Sequence, residues 1–116
     1  MDNLMTLKRR IKFLKQRLTR GFSDEELWNL DWTLAEYIFP RLKAFKDYHG
    51  AYPPDLTPEK WNKKLDEMIW AFDSILHEEE TMPAIDGGEK IKLMAYLKRR
   101  DKGLKLFGKY FMDLCD

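Results

Sequence analysis

The sequence predicts an all-α chain, a compact bundle of four to five helices, and three observations carry that reading. Apolar residues recur at three- and four-residue steps over long stretches. Glycine, proline and short polar residues punctuate those stretches at helix-cap positions. No segment alternates apolar and polar residues convincingly with the period of a strand. The 116 residues fit one helical domain spanning 1–116, and 44% hydrophobic content with 14% aromatic residues is enough to fill a core.

Leu4, Leu7, Ile11, Leu14 and Leu18 define an amphipathic helix over about residues 3–19, which Gly21 ends. Ser23-Asp24-Glu25-Glu26 reads as a capping box: the Ser23 hydroxyl accepts from the Glu26 amide while Glu26 reaches back to the cap. A second helix follows over about residues 24–48, kinked near Pro40 and stopped by Gly50. Leu27, Trp28, Leu30, Trp32, Leu34, Ile38, Phe39, Leu42 and Phe45 surround most of its circumference, so the expectation is a central, nearly all-apolar element. Ala51 to Leu56 form a stiff loop, after which Thr57 caps and Pro58 opens a third helix, about 58–80. Thr81 to Gly88 form another loop, where Asp86 is placed to cap a final helical region. Gly103 and Gly108 are candidate breaks there, giving helices of about 89–101 and 103–114.

The net charge of +1 conceals segregation. Residues 1–20 carry +6, residues 21–80 carry −8 and residues 81–116 carry +3. Two readings follow: a basic first helix lying against acidic neighbours of its own chain, or a basic arm for an acidic partner. The first is favoured, because the apolar stripe of that helix also needs burial. Arg9, Arg10, Lys12, Arg17 and Arg20, with Phe13 among them, are the nucleic-acid candidates: cations hold phosphates while an aromatic stacks on bases. An aromatic in that setting is more commonly a hydrophobic anchor for a neighbouring helix, which is the other reading of Phe13.

Two residues break the expected faces. Asp31 falls in the middle of the apolar arc of the second helix, so burial is expected. There it is either a structural acid, paired with Lys98, Arg99, Arg100 or Lys102, or a functional one with a raised pKa; the structural reading is favoured. Trp70 lies opposite the apolar face of the third helix, which is Trp61, Leu65, Met68, Ile69, Phe72, Ile75 and Leu76. Its companions there are Lys63, Asp66, Asp73, Ser74 and His77. Tryptophan in polar company marks either an interface anchor or a side chain covered by another part of the chain, so Trp70, His77, Lys63, Asp66 and Phe13 are the partner-binding candidates.

Catalytic material is sparse. Gly87-Gly88 lacks the Lys-Ser/Thr of a phosphate loop, and Asp73 with His77 supplies two ligands where a metal site needs more. No catalytic residue, metal or cofactor is expected; a small metal-dependent hydrolase is the enzymatic alternative, with Glu78-Glu79-Glu80 its weakest support. One cysteine, Cys115, builds no disulfide framework. No signal peptide and no membrane-spanning stretch is read in the sequence, so the expected setting is a reducing compartment.

Gly21 to Asp31, Phe39 to Lys43, Leu56 to Trp61 with Met68 to Phe72, and Gly103 to Phe111 together resemble a family of small uncharacterised proteins of tailed bacteriophages. The resemblance covers about residues 21–111 and carries no assigned activity. In that family the tail often ends in an aromatic where Cys115 stands. The resemblance implies a phage accessory protein in the host bacterial cytoplasm or the virion. It would bind a host or phage protein, or a second copy of itself, with nucleic acid the second choice and no membrane.

Overall fold

The computed structural model describes residues 2–48, 50–84 and 89–115. Among them the chain is all-helical and no strand occurs. Six α-helices follow in order: α1 Asp2–Arg20, α2 Glu25–Trp28, α3 Leu30–Tyr48, α4 Pro58–Leu76, α5 Glu78–Thr81 and α6 Glu89–Lys109, with a 3₁₀ turn at Phe111–Asp113. Asp86 and Gly87-Gly88 lie outside the described residues. The chain divides inside α3 into two compact units, Met1–Leu34 and Ala35–Asp116, where the sequence suggests one domain.

The second unit is built on α4. Trp61, Leu65, Met68 and Phe72 repeat at helical spacing, and with Ala71 and Ser74 they make α4 the most buried helix. Ala35, Leu42 and Tyr110 complete this core, with Ile38, Phe39, Phe45, Leu106 and Phe107 packed around it. Edge-to-face rings bind its far side: Trp61 to Tyr110 at 5.5 Å and Phe72 to Phe107 at 5.0 Å. The opening of α4 follows the sequence: the Thr57 hydroxyl accepts from the Lys60 amide at 3.2 Å, and Pro58 occupies the first turn. The third helix ends earlier than expected, because His77 leaves helical geometry (φ −118°, ψ 36°) and Glu78 to Thr81 form a separate turn.

Three sequence expectations need correction. The central helix is α4 and not the second helix, of which only Ala35 and Leu42 are buried while Leu27, Trp28, Leu30, Trp32 and Leu34 are exposed. Apolar residues spread around a whole circumference need neighbours on every side; α4 has them on two, the core along its Trp61–Phe72 stripe and α6 along Ala71, Ser74 and Trp70. The expected helix of residues 24–48 is divided at Asn29 (φ −132°, ψ 70°), which separates α2 from α3, and Pro40 lies within the continuous α3. Pro40 is exposed, so water can reach the carbonyl that its missing N–H leaves without a helical partner.

The third correction concerns Gly103, which does not divide the last helix. It is buried in the middle of α6, where a Cβ would stand 2.5 Å from both the Ala71 Cβ and the Glu67 carbonyl oxygen. The missing side chain is what lets α6 approach α4 so closely; the sequence signal for a helix break is here a packing requirement. Gly108 faces open space. Gly103→Ala is therefore expected to destabilise the protein by about 1–3 kcal/mol in urea titration, since backbone must move to admit the methyl group. Gly108→Ala should be neutral or stabilising by up to about 1 kcal/mol, through helix propensity alone.

Candidate functional site

The first unit turns its leading helix in an unexpected direction. Gly21, the one described residue with positive φ (+90°), closes α1 with its N–H on the Arg17 carbonyl and sends the chain back along the helix. The returning segment meets the polar face. The Gln16 side-chain amide donates to the Asp24 carboxylate at 2.9 Å and accepts from the Asp24 backbone N–H at 2.8 Å. Arg20 donates to Asp24 and to the Phe22 carbonyl oxygen, with its guanidinium over the Phe22 ring at 4.4 Å. Phe13 is buried edge-on against Trp28, with ring centroids 5.6 Å apart. The capping box forms in part. Glu26 reaches back to the Ser23 N–H as expected, but the buried Ser23 hydroxyl donates to that same carboxylate and does not accept from the Glu26 amide.

These bonds set the acids of the turn. Hydrogen bonds from Gln16 and then Arg20 hold the Asp24 carboxyl below its ordinary value, and the Ser23 N–H does the same for Glu26. Ion pairs join Lys12 to Asp24 and Arg17 to Glu25 and Glu26 at 3.7–3.9 Å. All of these groups are substantially exposed, so the pairs orient more than they stabilise.

The consequence lies on the other side of α1. Leu4, Leu7, Ile11, Leu14 and Leu18 are 53–79% exposed. The favoured expectation has charges facing neighbours and leucines buried; the structure supports its first half and reverses the second. Three of the five nucleic-acid candidates, Lys12, Arg17 and Arg20, are engaged by their own turn, and Phe13 is inaccessible for stacking. Arg9 and Arg10 stay exposed without an ion pair among the described residues. Lys8, Arg9 and Lys12 with Phe13, Asp24 and Trp28 line an open hollow of about 460 Å³, where the exposed Trp28 is the accessible aromatic ring.

Asp31 is the clearest correction. It is exposed, and its carboxylate accepts from the Trp32 N–H at 2.9 Å in the first turn of α3. An acid in that position suits the positive helix end and needs no buried cation.

The remaining candidates belong to the second unit. Trp70 is half-buried: Tyr96 meets it edge-on at 5.2 Å and the Arg99 guanidinium covers it at 4.1 Å. It fastens α6 to α4. Asp66 pairs with Lys46 at 2.6 Å, Lys63 is exposed, and His77 Nδ1 lies 2.6 Å from Asp73. Among the described residues no three His, Cys, Asp or Glu side chains converge on one point. The sequence reading missed a polar network at the end of α4. Arg100 donates to the Ser74 hydroxyl and carbonyl, both at 2.9 Å, and the Tyr96 hydroxyl donates to that same carbonyl. Only the placement of Ser74 within a helix hints at it.

No known protein family, no curated protein and no solved structure matches the chain. The first unit leaves open the stripe on α1 and the hollow beside Trp28; the second carries an apolar hollow of about 280 Å³ between Tyr37, Phe45 and Phe107 and one of about 350 Å³ edged by Lys98, Lys102 and Lys109.

The turn that clasps α1 is expected to loosen in acid. Because Asp24 and Glu26 are depressed when folded, their contribution is complete above the ordinary carboxylate range and is lost as pH falls below about 4. The Trp28 indole resonance should therefore hold constant from pH 7 to about 5 and move toward its unfolded position below that. Asp24→Asn should shift it already at pH 7. A Trp28 resonance insensitive to both would show that the carboxylates do not hold the turn.

Proposed function

We propose that this chain is a non-enzymatic accessory protein, a helical bundle that works by binding another protein through α1. The observation that carries the reading is the leucine stripe, exposed on one side of a 19-residue helix whose other side is already committed to its own turn. Apolar area of this extent on one helix is the signature of helix-in-groove or helix-on-helix recognition. The resemblance of residues 21–111 to small tailed-bacteriophage proteins supports an accessory role in the bacterial cytoplasm or in a virion. The hydrolase alternative keeps the Asp73–His77 pair and the Glu78–Glu80 run, while Asp66 pairs with Lys46 and Asp31 is exposed at a helix start. Of the earlier partner-binding candidates, Trp70 and Phe13 are spent on internal packing, and the weight moves to Leu7, Ile11 and Leu14.

A photo-crosslinking amino acid at Ile11, introduced in cells, is expected to trap a protein adduct that the same probe at Lys63 does not. Leu7→Asp with Leu14→Asp should abolish that adduct without changing helix content by circular dichroism. Each leucine removed costs about 1.5–3 kcal/mol of burial. Equal adducts at both probe sites, or none at Ile11, would remove the reading.

One observation favours a second reading, single-stranded nucleic acid on the hollow beside Trp28, where the exposed ring stands with Lys8, Arg9 and a Lys12 that is paired to Asp24. Trp28→Ala should then weaken binding of a labelled oligonucleotide by about 1–3 kcal/mol, with affinity that falls steeply as salt rises. A salt-independent affinity, or one indifferent to Trp28→Ala, would exclude it.

A further inference from the structure

We infer that the partner of α1 is an amphipathic helix whose apolar seam is flanked by acidic residues, an inference that rests on the protein-binding reading above. The spacing of the stripe is heptad spacing: Leu4, Ile11 and Leu18 occupy a positions, and Leu7 and Leu14 occupy d. At about 100° per residue these five side chains span only about 80° of the helix, the width of a two-helix seam. The same register puts Phe13 and Arg20 at c, Gln16 at f and Lys12 at b, the outer positions of a coiled coil. Those are the residues held by the Phe22–Trp28 segment. The unit therefore clasps α1 from behind and leaves the whole seam open.

The flanks then choose the occupant. Lys8 and Lys15 take the e positions, and Asn3, Arg10 and Arg17 take g. Lys8, Arg10 and Lys15 have no ion pair among the described residues, whereas Arg17 is shared with Glu25 and Glu26. Charges at e and g set partner and orientation in helix pairs. Every charged flank of this seam is positive, so α1 cannot pair with α1 of a second copy in either orientation without placing cations against cations. A helix with Glu or Asp at its own flanks meets Lys8, Arg10 and Lys15 favourably along both edges of the seam. A lipid surface fits less well. Lipid-seeking helices present aromatic side chains with their aliphatic ones, and here the single aromatic of α1, Phe13, is buried on the opposite side.

The test uses the full chain and synthetic three-heptad peptides with Leu at a and d, carrying either Glu or Lys at e and g, followed by fluorescence anisotropy. The Glu peptide should bind at least ~10-fold more tightly than the Lys peptide. Arg10→Glu with Lys15→Glu, both at exposed positions, should invert that preference, and Leu7→Asp with Leu14→Asp should abolish binding of either. Binding that needs the leucines but ignores peptide charge would overturn the acidic-partner inference and leave the protein-binding reading standing. If neither peptide binds, the inference falls. If vesicles of phosphatidylcholine and phosphatidylserine then bind in a leucine-dependent manner, the protein-binding reading falls with it. A leucine-dependent dimer in sedimentation would overturn the inference in favour of self-association.

Discussion

The two-point bond between the Gln16 amide and Asp24 decides which side of α1 meets its own turn. A helix carrying five aliphatic residues on one side and a belt of cations on the other would ordinarily bury the aliphatic side. Here the left-handed turn at Gly21 brings Asp24, Glu25 and Glu26 back along the cationic side. Gln16 fits the Asp24 carboxylate and the Asp24 backbone N–H at once, and Phe13 supplies an apolar contact where the returning Trp28 needs one. Opening the stripe and neutralising part of the basic face are thus one event. The seam, its flanking charges and the hollow beside Trp28 all follow from it.

The second unit solves a different problem. Its α4 is covered on two faces, the Trp61–Leu65–Met68–Phe72 stripe by the core and the Ala71–Ser74–Trp70 side by α6, which reaches it only because Gly103 carries no side chain. Close approach brings polar backbone into the contact, and the unit satisfies it. Ser74, nearly fully buried, bonds the Ala71 carbonyl and accepts from Arg100, while Tyr96 and Arg100 share the Ser74 carbonyl. Arg99 lies over Trp70 and pairs with Glu67. Arg99 and Arg100, which the sequence offered as partners for Asp31, are instead the attachment of α6 to α4.

What could be read from the sequence was whatever local chemistry decides. Thr57-Pro58 fixes a helix start with atoms a few residues apart, and the apolar stripe of α4 follows from spacing alone. Gly21 needs only its own φ. The misreadings share a cause, because each turns on what meets a face and not on who shares it. A helical wheel groups Leu4 with Leu18 but cannot say that the opposite face will be the docked one. Asp31 shares its arc of the wheel with Ala35, Ile38 and Leu42, which pack in the core, yet it stands in the first turn of α3, where the helix is exposed. Gly103 carries the local mark of a break and the tertiary task of a close contact. Ser74 and Arg100 were indistinguishable from other polar residues until α6 was placed against α4.

Size adds an argument that spacing cannot. Among the described residues of the first unit, Phe13 is the one large buried side chain, and Ser23 is the other buried residue. Units below about 40 residues seldom bury enough surface to stay ordered without a disulfide, a metal or association. Cys115, the only cysteine, lies in the other unit, and exposed ion pairs contribute little. The surface that could supply the missing burial is the leucine stripe itself. Covering it would add apolar contact along nearly the whole length of α1, far more than the Phe13–Trp28 contact provides. On the proposed reading, a helix held from behind by hydrogen bonds and open in front along a heptad seam would gain its order where it meets a partner, so recognition and stability would fall on the same five side chains.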